Sequence, residues 1–341
     1  MDDGLEALLA DYEQPAVNGL RSVLREYLAT HHPGGRLVHQ EKIKPRVYRL
    51  HFDLAGEAFL WIVKRLEGRI ARRNELVARR WLPAVSLDNA NHSLLATAGT
   101  TDGESVWHVY HDLGPWSLEE TAPDARRLQA AVKLLAEIHA RFTAHPYLAE
   151  ARLFGGDLGT YFVLSNLSDA ILCLEKAAQV LPDTPPVVER LLNRLVPFRS
   201  ELPERLALIQ ALAGPETLLH GDLWTSNVFV LPDGRACLID WDHVAVGPPA
   251  YDLSTFILRF PPDQRREIIE LYRHASPDGA WQIPGLTALS QIFETFEIAR
   301  FACRIIWPAI ALWESGAAWA LDGLADIERW FLSWQVIFPE L

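Results

Sequence analysis

The sequence predicts an α+β fold in two lobes: a small antiparallel sheet carrying one helix, then a larger, mainly helical part. Three observations predict it. Segments of period two crowd the first 112 residues, helical periodicity dominates beyond them, and one hairpin-like stretch at 217–242 interrupts the helices. The chain has 341 residues, 49% of them hydrophobic and 22% charged, enough for a large core and too apolar to stay disordered.

The elements follow in order. Residues 3–30 read as one or two helices ending before His31-His32-Pro33-Gly34-Gly35. Tyr48, Leu50 and Phe52 then alternate with Arg49, His51 and Asp53, a strand. Ala55-Gly56 supplies a turn, and AFLWIVK (58–64) is the next strand. Residues 69–82 place Ile70, Val77 and Trp81 at helical spacing among arginines. Residues 92–98 and 106–112, joined through Thr101-Asp102-Gly103, read as a hairpin. After Gly114-Pro115 the pattern turns helical, with Leu128, Ala131, Leu134, Leu135 and Ile138 on one stripe of 123–143. The boundary is set at that switch, giving a small lobe of 1–112 and a large lobe of 113–341.

Composition excludes several classes of function. A net charge of −12 disfavours non-specific binding of nucleic acid or an anionic membrane and suits a neutral or cationic partner. Cys173, Cys237 and Cys303 have no C-x-x-C spacing, so neither a disulfide framework nor a zinc ribbon is expected. The acidic start MDDGLEALLADYE lacks the marks of a signal peptide. The apolar stretch Phe301–Leu324 is broken by Arg304, Pro308, Glu314 and Asp322, against a membrane span. A cytoplasmic protein is expected, with its oligomeric state open.

The densest chemistry lies between His220 and Asp252. VFVL and ACLID flank Pro232-Asp233-Gly234, a turn signal, so antiparallel pairing brings Asn227, before the first strand, beside Asp240, after the second. An amide oxygen next to a carboxylate is a hard-oxygen site suited to Mg²⁺. Asp222, on the loop leading in, is free to serve as a proton acceptor, as phosphoryl transfer to a hydroxyl requires. Singly, each such residue is more often a cap or turn residue; the joint spacing points to a site.

H-G-D-L-W-T-S-N (220–227) followed by L-I-D-W-D (238–242) resembles the aminoglycoside phosphotransferase and choline kinase superfamily, small-molecule relatives of protein kinases. The resemblance spans about 36–260 and is strongest over 217–256. It implies a protein-kinase-like fold in which Asp222 is the catalytic base, Asn227 and Asp240 hold Mg²⁺, and His220 is a structural residue. It further implies that Asp252, in Tyr251-Asp252-Leu253, braces the catalytic loop. Asp242 is left between a substrate-facing, metal-facing and solvated role. The kinase pattern also requires a strand lysine for the nucleotide phosphates and a helix glutamate to hold it. Lys64 ends FLWIVK and Glu75 lies on the next helix, in the expected order. Residues 110–120 resemble the inter-lobe hinge, which implies backbone contacts to a purine from Asp112, Leu113 and Gly114. His139 in A-E-I-H-A is read as a packing or hydrogen-bonding histidine.

One departure is the candidate phosphate loop, Gln40–Pro45, which has no glycine. Lys42 or Lys44 would supply charge there, and the departure leaves GTP open beside ATP. The acceptor is expected to be a small hydroxyl compound, neutral or cationic. An amine is suggested by the acidic balance, by Trp307, Trp313, Trp319, Trp330 and Trp334, and by Glu294, Glu297 and Glu314; core packing is the commoner use of such tryptophans. HGDLW also resembles the ketosamine kinase variant. DHVAVGPPAYD after Asp240 contains no A-P-E segment, which favours a small-molecule acceptor over a protein. Two other readings stay open: a metal-dependent hydrolase built on His220, Asp222, Asp240 and His243, and a kinase-like nucleotide-binding module without turnover.

Overall fold

The computed structural model describes residues 3–10, 14–100, 102–119, 124–181, 183–277, 280–334 and 337–338. In chain order the first half contains α1 (Val17–His31), β1 (Arg36–Lys44), β2 (Val47–Leu54), β3 (Glu57–Glu67), α2 (Gly68–Leu76), α3 (Leu82–Ala84), β4 (Leu94–Gly99), β5 (Ser105–His111) and α4 (Ala125–Phe142). There follow α5 (Tyr147–Gly155), α6 (Thr160–Val180), α7 (Pro186–Leu212), β6 (Thr217–Leu219), β7 (Val228–Val230), β8 (Ala236–Leu238), β9 (Ala245–Gly247), α8 (Ala250–Ile257), α9 (Arg265–Ala275), α10 (Leu286–Ser315) and α11 (Ala318–Leu332). The α+β class is as expected. Thr101 of the expected turn, and the start of the expected helix at 123, lie outside the described residues. No helix among the described residues is long and apolar enough to cross a membrane.

Two compact units emerge: Met1–Leu134 with Thr225–His243, and Leu135–Trp224 with Val244–Leu341. The division falls inside α4, beyond the composition switch near residue 113, and it groups the 225–243 hairpin with the first unit. Hydrogen bonding explains the grouping. Leu118 donates its N–H to Val228 C=O at 2.9 Å, Val230 to Trp116 C=O at 3.1 Å, and His92 to Leu238 C=O at 3.3 Å.

In the first unit, an antiparallel sheet runs in the order β1-β2-β3-β5-β4. Alternation sorts its side chains. Leu50 and Phe52 of β2, Trp61 and Val63 of β3, and Trp107 and Val109 of β5 enter one core with Leu20, Leu24 and Leu28 of α1. That helix stripe recurs every four residues, as one buried face demands, and each such side chain contributes about 1.5–3 kcal/mol on burial. Lys64 has the opposite parity on β3 and so emerges on the other face. The candidate phosphate loop turns out to be strand. β1 pairs with β2 through Gln40↔Leu50, Glu41↔Arg49, Lys42↔Tyr48 and Lys44↔Val47, so only Pro45 and Arg46 turn the chain. Arg46 supplies the left-handed conformation at φ 66° that a glycine would ordinarily take.

The second unit is helical around α10, whose Leu289, Ile292, Phe293 and Phe296 are fully buried. β6 and β9 pair antiparallel within it, Leu218 opposite Val246, and anchor the segment that leads to His220. All eight residues of α8 are buried, Asp252 and Ser254 among them.

Candidate active site

The first unit contributes a cleft of ≈ 320 Å³ lined by Lys44, Lys64, Asn74, Asp112, Leu113, Gly114, Asn227 and Asp240. Lys64 Nζ donates to Asp240 Oδ1 at 2.5 Å and to Asp242 Oδ2 at 2.9 Å. Lys44 Nζ stands 3.7 Å from Asp240 Oδ2. The hairpin expected around Pro232-Asp233-Gly234 forms, with Val228↔Leu238, Phe229↔Cys237 and Val230↔Ala236 in register. Its open end is closed by Ile239 N–H donating to Asn227 C=O at 3.0 Å, which places Asn227 and Asp240 at one end. Asp240 itself has φ 66°, a left-handed conformation that asparagine and aspartate tolerate better than most residues and that recurs at functional sites.

The charges here are strongly perturbed. Burial opposes the Lys64 ammonium, yet Asp240 and Asp242 outweigh it and hold its pKa above an ordinary lysine. Burial works against the Asp240 carboxylate too, but Lys64 and then Lys44 bring it down to about 2. Asp242 moves the other way: burial and the neighbouring Asp240 charge raise it, against the pull of Lys64 and Asn74. Asp242 is therefore part of the lysine's immediate environment rather than a solvated residue.

Glu75 does not hold Lys64. Its carboxylate stands 3.5 Å from His108 Nε2 and 3.6 Å from Arg72. His108 is buried on β5 directly across from Lys64, and its proximity, more than that of Arg79 and Arg72, holds Glu75 below its ordinary pKa against the effect of burial. Two residues of α2 reach Asp242, a partner of the lysine: Asn74 Nδ2 donates to Asp242 Oδ1 at 2.9 Å, and Arg73 Nη1 donates to the Asp242 C=O at 3.1 Å. Successive helix residues point about 100° apart, so α2 can aim only one of Asn74 and Glu75 at the cleft, and it aims the amide. The carboxylates that Lys64 does meet are those of Asp240 and Asp242.

The hinge residues line the same cleft. Asp112 N–H donates to Leu60 C=O at 3.0 Å, and Asp112 Oδ1 accepts Gly114 N–H at 2.7 Å. Arg49 Nε donates to Asp112 Oδ2 and Arg49 Nη1 to Glu41 at 2.5 Å. Gly114 turns the chain at φ 70°, with the Trp116 ring 3.2 Å from where a Cβ would sit. His92 Nε2 binds His111 C=O. Among the described residues this leaves the Asp112 C=O and the Leu113 N–H without partners, an acceptor and a donor one residue apart.

The second unit carries the loop of Asp222. Gly221 has φ 82°, which accounts for glycine where the kinase pattern has arginine. Asp252 Oδ2 accepts His220 N–H at 2.7 Å and Oδ1 accepts Gly221 N–H at 2.9 Å. His139 Nε2 lies 3.4 Å from the same carboxylate, and its Nδ1 meets Tyr272 Oη at 2.8 Å. Burial alone would raise the Asp252 pKa; His139, His220 and the Gly221 N–H together hold it below the usual value. His220 Nδ1 accepts Asp222 N–H at 3.3 Å, so this imidazole shapes the loop.

Several of the residues that suggested an amine site have other partners. Glu294 pairs with Arg205 at 3.0 Å, and Glu297 with Arg300 at 3.5 Å. Trp330 stacks on Phe301 at 3.4 Å and meets Trp334 edge-on, while Trp307 and Trp319 are exposed. Glu314 is exposed too. Asn74, Arg49 and Lys44 are site residues that no motif singles out, although Lys44 stood in the candidate loop. Among the described residues, a cluster of three metal-capable side chains, His39, Glu41 and His51, lies elsewhere, on β1 and β2. Arg49 already occupies that glutamate.

A strand lysine held by hairpin carboxylates, in a cleft edged by a free hinge donor and acceptor, defines a kinase-like phosphotransferase. The sequence model of the phosphotransferase enzyme family matches residues 35–282, and the chain belongs to that family; it is a phosphotransferase enzyme, and the hydrolase reading falls away. No curated protein matches the sequence. Solved structures share the fold at low identity. The Plasmodium vivax ethanolamine kinase is 11% identical with a TM-score of 0.58, the alignment covering 95% of this chain and 92% of that one. An aminoglycoside phosphotransferase from Alicyclobacillus acidocaldarius is 14% identical at TM-score 0.53, covering 92% and 94%. Spectinomycin phosphotransferase, in complex with ADP and spectinomycin, is 13% identical at TM-score 0.56, covering 90% and 93%.

Proposed function

We propose that this protein transfers the γ-phosphoryl group of ATP, in the presence of Mg²⁺, to a hydroxyl of a small molecule. The observation that carries the reading is Lys64 bonded to both Asp240 and Asp242 in a cleft that also contains Asn227 and the free hinge groups. Residues 1–112 serve as the nucleotide-binding lobe and 113–341 as the lobe of the catalytic loop and acceptor. The Leu113 N–H and Asp112 C=O bind the purine edge, a pairing that suits adenine. Lys64 binds the α- and β-phosphates. The donor set fits a magnesium ion: Asn227 offers a neutral oxygen and Asp240 a carboxylate that stays ionised, hard donors that leave positions for phosphate oxygens. The ion supplies charge neutralisation on the phosphates when bound. Asp222 orients the acceptor hydroxyl and takes its proton. Asp252 holds the N–H groups of His220 and Gly221 and so fixes where Asp222 sits. The names of solved structures with this fold, ethanolamine and choline kinases and aminoglycoside phosphotransferases, support the expected amine, although Glu294 and Glu297 are each paired with an arginine.

The test is ADP formation from MgATP across amino sugars, aminoglycosides, choline-like alcohols, ketosamines, amino-acid alcohols, polyols and their acids and phosphates. Turnover with at least one acceptor is expected, abolished by Asp222→Asn while nucleotide binding persists. A protein that binds nucleotide but phosphorylates none of them supports the non-catalytic module instead.

A further inference from the structure

Beside the catalytic loop, the second unit gathers two arginines that the phosphotransfer reading does not use. Arg259 lies over Trp224, its guanidinium carbon 3.7 Å from the ring centroid. Trp224 is itself tied to the catalytic residue, its N–H donating to Asp222 C=O at 2.9 Å. Arg300, from α10, lies over Tyr251 at 4.3 Å and donates to the Tyr251 C=O at 3.4 Å. Tyr251 precedes Asp252, which holds the loop. Glu297 connects the pair. Its Oε1 takes the hydroxyls of Ser254 and Thr255 and stands 3.5 Å from Arg300 Nε, while Arg259 Nε donates to Thr255 C=O at 3.4 Å.

The hydrogen-bond inventory leaves donors over. Arg300 Nη1 is buried without a hydrogen-bond partner among the described residues. Arg259 spends only Nε on the protein, and its terminal amino groups have neither hydrogen bond nor ion pair among the described residues. The two guanidinium groups also act on each other as like charges, and both feel Asp222. Glu297 acts on both and is ion-paired with Arg300, but it carries a single charge. Two forked donors linked through Thr255 and Glu297, each with its guanidinium over an aromatic ring, match an oxyanion that accepts from both.

We propose that Arg259 and Arg300 bind an oxyanion of the acceptor, so that the phosphorylated substrate is a hydroxyl compound bearing a carboxylate or a phosphate. This rests on the assignment of Asp222 as the group facing the acceptor. Trp224 and Tyr251 orient the guanidinium planes, and Glu297 positions Arg300.

The test uses the full chain with Mg²⁺ and a saturating non-hydrolysable ATP analogue, so that phosphate subsites of the nucleotide are filled. Inorganic phosphate and malonate are titrated in by calorimetry; the first represents a phosphate group and the second a carboxylate. Saturable binding of at least one is expected, and whichever binds more tightly names the source. Arg259→Gln weakens it about tenfold or more, the loss of a charge-assisted hydrogen bond. Arg259→Lys keeps the charge without the fork; it falls between the two and serves in place of the glutamine variant if that fails to fold. Absence of saturable binding, or unchanged affinity in the folded variants, overturns the proposal. Turnover on glycerol, glycerate, glycerol 3-phosphate and choline is then compared. Preference for choline overturns it, as does an Arg259→Gln loss of kcat equal on neutral and anionic acceptors, which would assign the arginine to the transferred phosphoryl group. If the anion binds through Arg259 but no acceptor consumes ATP, the oxyanion site stands and the phosphotransferase reading falls.

Discussion

Asp252→Asn separates bracing of the catalytic loop from simple burial of a charge. The carboxylate is fully buried and accepts two backbone N–H groups, from His220 at 2.7 Å and Gly221 at 2.9 Å. An asparagine of the same shape retains one acceptor oxygen and turns a donor toward the second N–H. One charge-assisted bond is lost, about 1.5–3 kcal/mol, and one buried donor is left unsatisfied, about 1–3 kcal/mol. Relief of the buried charge returns part of this, for a net loss of about 2–4 kcal/mol. At about 2.1 cal/mol/K of unfolding entropy per residue, a two-state melt of 341 residues drops by roughly 3–6 °C. Turnover falls about 10- to 100-fold, as expected for a displaced base, while KM for ATP holds because the nucleotide cleft is lined by residues of the first unit. The acid limb carries the sign of the shift. Asp252 has a folded pKa below its unfolded one, so its contribution is complete above about pH 4 and is lost as pH falls through the folded value. The gap between wild type and variant therefore closes in strong acid. Calorimetric melts and steady-state kinetics at a temperature where both proteins are folded measure these effects. An unchanged kcat alongside a lowered melting temperature refutes the bracing role, and an unchanged melting temperature refutes the energetics.

Two other perturbations address the first unit. Lys64→Met keeps the stem and removes the cation between Asp240 and Asp242; nucleotide affinity is expected to fall about 10- to 100-fold by the loss of charge-assisted bonds, and stability by about 3 kcal/mol because two largely buried carboxylates lose their partner. A nucleotide titration and a denaturant melt measure both, and unaltered affinity rules Lys64 out as a phosphate ligand. His92, buried against the hinge, has its pKa pushed by burial to about 4, so the folded protein keeps it neutral while the unfolded chain protonates from about 6.5 downward. Stability present above pH 6.5 is lost as pH falls toward 4, by about 2 kcal/mol between pH 7 and 5; denaturant melts of wild type and His92→Gln at the two pH values should differ by that amount, and parallel behaviour would remove His92 as the cause.

The first-unit sheet and the hairpin were legible because period-two alternation and Pro-Asp-Gly are local signals. Lys64 was placed as the residue that ends the apolar strand FLWIVK, and Asn227 and Asp240 by the turn between them. Asn74 was not legible, because nothing in RRNEL says which neighbour faces the cleft; that depends on the roll of α2, fixed by packing. The glycine-free stretch 40–45 misled for a related reason: Arg46 adopts a left-handed conformation without being a glycine, so the turn left no compositional mark. The grouping of the 225–243 hairpin with the first unit depends on backbone pairs to Trp116, Leu118 and His92 that lie far off in sequence. Arg259, in the turn after α8, and Arg300, on α10, resemble ordinary surface charges until the fold places each over an aromatic ring.

Whether Lys64, Asn227 and Asp240 form one nucleotide–metal site is read most directly by calorimetric titration of ADP into the full chain with and without Mg²⁺. Binding should be saturable, tightened by the metal, and about tenfold weaker or more in Asp240→Asn with the metal dependence gone. Equal affinity with and without Mg²⁺, or an Asp240→Asn variant that binds MgADP as the wild type does, would contradict it.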